Sequence, residues 1–338
     1  MSGTIIIGAG QAGSAAAVKL RNLGYEGDIT LIGAESAPPY QRPPLSKKYM
    51  LGEMELERLY LRPIDFYETN NITIRLGTKV DAINTADKSI SVQGETLSYD
   101  NLILTTGSWP RRLPAKIGGD LAGVYSMRDL ADADAMADEF QEGRRALIIG
   151  GGYIGLEAAA VAAKKGVNVT LVEMADRILQ RVAAPQTSDY FRAAHTAQGV
   201  DIREGVGLDH LIERDGRVGA AKLSDGSEIE IDFAIVGVGI IPASELAEAA
   251  GITLENGIKV DEFGRTSAPN VYAAGDCASL PYKAERIRLE SVQNAIDQAE
   301  NVAANIGFFV RNLYGFKRMY KTQRTTNIKS LCKAFSCT

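Results

Sequence analysis

The alternation of apolar and polar positions divides the chain into two stretches that follow one plan. In the later stretch, an apolar run at residues 146–149 reads as a buried strand, an Ala-rich segment at 153–165 as a helix, and a second apolar run at 167–172 as another strand, closed by Glu173. In the earlier stretch, residues 4–7, 14–22 and 29–32 repeat strand, helix and strand. A short run of continuous apolar residues, then a helical period, then another apolar run is the pattern of a parallel βαβ unit. After each unit, at residues 71–107 and again at 199–239, come short alternating strands with polar turns and then a wholly apolar strand that stops at glycine. So long an internal repeat predicts two similar α/β domains.

The first turn of each βαβ unit carries the same glycine spacing, G-x-G-x-x-G: Gly8, Gly10 and Gly13, then Gly150, Gly152 and Gly155. One glycine permits the tight turn, the next lets backbone approach a pyrophosphate, and the third lets helix and strand pack closely. The helix N-terminus beyond offers free N–H groups and partial positive charge. Glu173, at the end of its strand, is placed to accept both ribose hydroxyls of a dinucleotide and would repel a 2′-phosphate, which favours NADH over NADPH. Arg177 and Arg181 nearby weaken that preference.

The order of segments predicts that the second domain is inserted in the first. The divisions fall at 1–108, 109–238 and 239–306, with a residual tail at 307–338. An acidic, Ala-rich helix is expected at 131–141, a buried strand at 270–276 ending on Asp276, and a helix at 288–304 that packs back on the first domain. The tail has seven Lys or Arg and no Asp or Glu, in a chain whose net charge is −5. So abrupt a change of composition reads as a truncated or frame-shifted end, and secondarily as a basic arm for an acidic partner or membrane surface.

At 338 residues, 45% hydrophobic and 23% charged, the chain has an ordinary composition and room for two sizeable cores. No apolar run approaches the ~20 residues of a membrane span. The first strand begins at once, which argues against a secretory leader. The three cysteines, Cys277, Cys332 and Cys337, have no metal-type spacing, and a reducing cytoplasm is the expected location. The two histidines, His195 and His210, are read as structural, and no metal site is expected.

GAGQAG at 8–13, PPLSK at 43–47, TTGSWPR at 105–111, GGGYIGLE at 150–157, VGVGIIP at 236–242 and TSAPNVYAAGD at 266–276 occur together, in order. The set resembles the FAD-dependent NADH:ferredoxin reductases of bacterial cytochrome P450 and dioxygenase systems, within the glutathione-reductase-like flavoproteins. The resemblance implies an α/β fold with two Rossmann-like dinucleotide-binding domains, the first for FAD and the second for NADH. It further implies hydride transfer from NADH to FAD and single-electron transfer to a [2Fe–2S] ferredoxin, by a monomer or homodimer that binds no nucleic acid.

On the same grounds FAD is expected at Gly8, Gly10, Ala12, Gly13, Glu35, Arg42, Lys47, Val80, Thr106, Gly107, Arg128, Asp276 and Val292. NADH is expected at Gly150, Gly152, Tyr153, Ile154, Gly155, Glu157, Glu173, Arg181, Gly237 and Gly239. Lys47 and Glu157 are the candidate catalytic pair beside the flavin. The family's acidic residue after the glycine that closes the second strand is Ala34 here, so Glu35 takes its place. Residues 38–51 contain no cysteine, which excludes a dithiol relay there. The alternatives are an NADH oxidase, a non-catalytic NADH-sensing flavoprotein, and a truncated chain with impaired turnover.

Overall fold

The computed structural model describes residues 3–307. The expectations placed on the basic tail lie outside the described residues. The chain forms two units. Of the described residues, one comprises 3–41, Leu59–Trp109 and 241–307; the other comprises Arg42–Arg58 and Pro110–Ile240.

In the first unit a mixed sheet places Ile72–Arg75, Ile29–Ile32, Gly3–Ile7 and Glu95–Leu104 side by side. The second half of Glu95–Leu104 also pairs in parallel with Val271–Ala273, while its first half pairs antiparallel with Ser89–Val92, and that with Val80–Asn84. All five residues of Gly3–Ile7 are buried. Side chains alternate across a strand, so Ile5 and Ile7 enter one core with Leu102 and Leu104, and Ile6 enters the other with Leu31 and Ile103. That second core is closed by the small faces of two helices, Gln11–Asn22 with Ala16, Ala17 and Leu20, and Val292–Gly307 with Ala299, Val302 and Ala303. A Lys19–Glu300 ion pair at 3.1 Å spans them at the surface.

The second unit repeats the parallel part: Asp201–Glu204, Asn168–Glu173, Arg145–Ile149, Phe233–Val236 and Val124–Ser126 lie in that order, all parallel. Its antiparallel strands, Leu208–Arg214, Arg217–Leu223 and Glu228–Glu230, form a separate sheet. The break between the two sheets falls at Asp232. Its carboxylate accepts from the Arg145 backbone N–H at 2.7 Å and from Arg145 Nη2 at 2.8 Å, which holds it below the usual carboxylate range.

Several ends differ from the pattern-based expectation, each for a local reason. The first helix starts at Gln11, directly after Gly10, whose extended backbone (φ −95°, ψ −158°) makes it the N-cap. The acidic helix is Leu130–Ala137, started by a capping box in which Asp129 and Asp132 each accept the other's backbone N–H. The last helix starts at Val292, where Ser291 Oγ accepts from the Asn294 N–H at 3.2 Å.

Candidate active site

The two glycine turns have one geometry. Gly8 and Gly150 have φ of 111° and 107°, a region closed to most side chains. Gly8 N–H donates to Ile32 and Gly150 N–H to Val172, both at 2.8 Å. A Cβ on Gly13 would lie 1.9 Å from the Gly8 carbonyl oxygen, and one on Gly155 would lie 2.0 Å from that of Gly150. Around the middle glycines, Gly10 and Gly152, nothing stands within 4 Å of such a Cβ. Outer glycines are demanded by packing, whereas the middle ones face open space. Both following helices, Gln11–Asn22 and Tyr153–Lys164, lack a capping side chain and an acidic residue in the first turn. Their first N–H groups are therefore left for an anion. The cradles fit a pyrophosphate on these observations alone.

Around the first cradle, Ala12 is buried, and Gly275 approaches so closely that a Cβ there would lie 3.2 Å from that of Ala12. This brings Asp276 beside the helix N-terminus, with its carboxylate accepting from Ser108 Oγ at 3.0 Å. Thr106 Oγ1 donates to the Ala243 carbonyl at 2.5 Å, and the Ala243 N–H donates to the Gly107 carbonyl at 3.0 Å. Glu35 accepts from the Tyr40 hydroxyl. Val80 is 3% exposed within the core, and Val292 is 42% exposed at the start of the last helix. Cys277 is fully buried, its thiol pushed up by desolvation, and it is a packing residue.

Around the second cradle, the Gly150 turn rests on Gly237, whose carbonyl oxygen would be 2.5 Å from a Gly150 Cβ. Gly239, with φ of 102°, has Arg181 Nη1 4.0 Å from where its Cβ would be. Tyr153 is half-buried, which pushes its phenol up, and Ile154 is 38% exposed at the helix start. Glu173 Oε2 accepts from the Gly151 N–H at 2.7 Å and Oε1 from the Ala175 N–H at 2.8 Å.

The same unit holds Lys47 and Glu157, with Nζ 2.6 Å from Oε2. Ser46 Oγ donates to that same oxygen at 2.6 Å, and Lys47 Nζ also donates to the Pro43 carbonyl at 3.1 Å. The segment Leu45–Tyr49 is a widened turn, closed by Tyr49 N–H on the Pro44 carbonyl, which points two consecutive polar side chains at one carboxylate. Arg42 and Arg128, expected near flavin, also lie in this unit, joined by Arg42 Nη1 donating to the Arg128 carbonyl at 2.8 Å. Ser46 and Ser108 were missed by sequence reasoning. Their signal was position alone, each beside a residue singled out by its motif.

The family model for pyridine nucleotide-disulphide oxidoreductases matches residues 3–299. The chain belongs to that family. It is 45% identical over 307 residues to a ferredoxin–NAD(P)(+) reductase of Sphingomonas sp, covering 89% of this chain and 74% of the relative. It is 42% identical over 305 residues to rhodocoxin reductase of Rhodococcus erythropolis, covering 89% and 71%. Among solved structures, the covalent putidaredoxin reductase–putidaredoxin complex matches with a TM-score of 0.88 at 40% identity, covering 90% of this chain and 75% of that one. The chain therefore spans about three quarters of the length of these family members.

Proposed function

We propose that the protein is an FAD-dependent reductase that draws electrons from NADH and delivers them to a [2Fe–2S] ferredoxin in the cytoplasm. The observation that carries this reading is the duplicated cradle, two uncapped helix N-termini each behind a glycine that faces open space. The relatives named ferredoxin reductase and rhodocoxin reductase support the choice of acceptor. Bound FAD supplies the chemistry that joins a two-electron donor to a one-electron acceptor.

The chain's own groups position and tune. Gly8 to Gly13 would hold the FAD pyrophosphate on backbone N–H groups, Asp276 the ribityl region and Glu35 the adenosine ribose. Gly150 to Gly155 would hold the pyrophosphate of NADH, and Glu173 its adenosine ribose. Glu157 orients Lys47, and Ser46 takes up a further acceptor site on the same carboxylate. A fixed cation of this kind favours electron-rich states of a neighbouring ring.

The test is anaerobic titration of the purified yellow protein with NADH, followed by a [2Fe–2S] ferredoxin. Bleaching of the flavin band by NADH and its return on adding ferredoxin are expected. Reoxidation by oxygen as fast as by ferredoxin would instead support an NADH oxidase. A reduced flavin that neither acceptor reoxidises would support a sensor.

A further inference from the structure

The two units solve one crowding problem in opposite ways. The pairs Ile7–Ile32 and Ile149–Val172 are equivalent in register, so Gly33 corresponds to Glu173, and Ala9 to Gly151. In the first unit the x of G-x-G is Ala9 and the strand-end residue is Gly33, where a Cβ would lie 2.6 Å from the Ala9 Cβ. In the second unit the exchange is reversed. Glu173 carries the side chain and Gly151 carries none. A Cβ on Gly151 would stand 2.6 Å from Ile178 Cγ2, 3.1 Å from Ile178 Cβ and 3.2 Å from Glu173 Cβ.

Gly151 uses the freed space with both of its backbone groups. Its N–H donates to Glu173 Oε2 at 2.7 Å, and its carbonyl accepts from the Leu179 N–H at 2.9 Å. The loop between them is fixed elsewhere too. Ala175 N–H donates to Glu173 Oε1, and Ile178 N–H donates to Glu204 Oε1 at 2.8 Å, with Glu204 held by Arg192 at 2.9 Å. This loop leads on to Arg181. A carboxylate offers about four acceptor sites. Two are used by Gly151 and Ala175, so the remaining pair matches the two O–H donors of a ribose diol, whereas a 2′-phosphate brings negative charge and no such donors.

We propose that Gly151 is a positioning residue for dinucleotide choice: by lacking a Cβ it ties the Glu173 carboxylate and the loop to Arg181 into one fixed acceptor of an unphosphorylated adenosine ribose. The proposal rests on the assignment of Glu173 to that ribose.

Calorimetric dissociation constants for NAD+ and NADP+, measured on the full-length holoprotein, test it. Gly151→Ala is expected to weaken NAD+ about tenfold and leave NADP+ nearly unchanged, the loss of one charge-assisted hydrogen bond at the ribose. Adding Ile178→Ala to that variant removes the nearest obstacle and is expected to restore most of the NAD+ preference, which a merely destabilised turn would not do. Glu204→Ala adds no atom, frees the Ile178 N–H, and is expected to lower the preference about threefold. It decides the matter alone should Gly151→Ala not fold. An NAD+/NADP+ ratio unchanged in Gly151→Ala, or in Glu204→Ala where only that variant folds, overturns the proposal. Glu173→Ala separates the two levels: if that variant keeps the parent's ratio, the assignment of Glu173 to the ribose fails. If it loses the ratio while Gly151→Ala does not, the role of Gly151 fails.

Discussion

The two units share the order of five parallel strands and the glycine turn, yet they differ at three points. The first fuses its antiparallel strands to the parallel ones through the unbroken strand Glu95–Leu104, whereas the second breaks the chain at Asp232 and holds the break with Arg145. The last parallel strand is Val271–Ala273, late in sequence, in the first unit, and Val124–Ser126, early in sequence, in the second. The strand that ends beside the glycines stops at Gly33 in one and Glu173 in the other. What is kept is the phosphate turn, where backbone atoms approach within contact distance. What varies is what surrounds it, down to a glycine in one unit where the other has a carboxylate.

The largest test of that sameness is steric. Gly13→Val and Gly155→Val each push carbon to about 2 Å from a carbonyl oxygen, as the distances of 1.9 and 2.0 Å show. Each is expected to cost on the order of 3 kcal/mol or more. Gly13→Val should release flavin, read from the visible spectrum, and Gly155→Val should abolish NADH-driven bleaching while colour remains. Equal loss of colour in both would break the assignment of one nucleotide to each unit.

Acid separates the units next. His195, 3% exposed on the helix Pro185–Ala197, is lowered to about 4 by burial, while the corresponding helix of the first unit, Ile64–Thr69, buries Tyr67. Between the ordinary imidazole value near 6.5 and about 4, the unfolded chain takes up a proton that the folded chain refuses. Stability therefore falls as pH falls through that window, by roughly 3 kcal/mol in all. His195→Gln should flatten this loss in thermal melts from pH 7 to 4, and a parent melt that does not move over that range would contradict it.

Smaller still is the effect of filling open space. Gly10→Ala and Gly152→Ala should leave the melting temperature within a degree or two, since no atom lies within 4 Å. Each should weaken its own nucleotide about tenfold, measured by flavin release and by NAD+ calorimetry. The smallest effect concerns the sheet break. Asp232→Asn should cost about 1 kcal/mol at neutral pH, discounted for a side chain that is 29% exposed. Because the folded carboxyl is depressed by Arg145, that contribution is present above the ordinary carboxylate value near 3.9 and is lost as pH falls below it. Variant and parent melts should then converge.

What the sequence disclosed was what is local. Glycine spacing, the period of the Ala-rich helices and the apolar runs are short-range signals, and they located both βαβ units to within a few residues. The pairing of Lys47 with Glu157 followed from resemblance, not from any spacing, since 110 positions separate them. Ser46 and Ser108 stayed hidden because a serine's partner is set by tertiary approach, and serines are common. Gly151 occupies an unspecified position of the fingerprint. Its demand for a bare Cα arises only when Ile178 is packed over it. The placement of Arg42–Arg58 in the second unit was likewise invisible, because that segment lies in sequence between two parts of the first.

That last placement has a consequence for dissection. The polypeptide passes from one unit to the other four times, after Gln41, Arg58, Trp109 and Ile240, so neither half is a contiguous gene fragment. Expressed alone, residues 110–240 would carry the Glu157 carboxylate, 13% exposed beside Lys47, with neither its serine nor its lysine. That fragment would lose both groups that position the carboxylate. A faithful excision therefore needs the 17 residues from Arg42 to Arg58 spliced back, by a designed linker or as an added peptide.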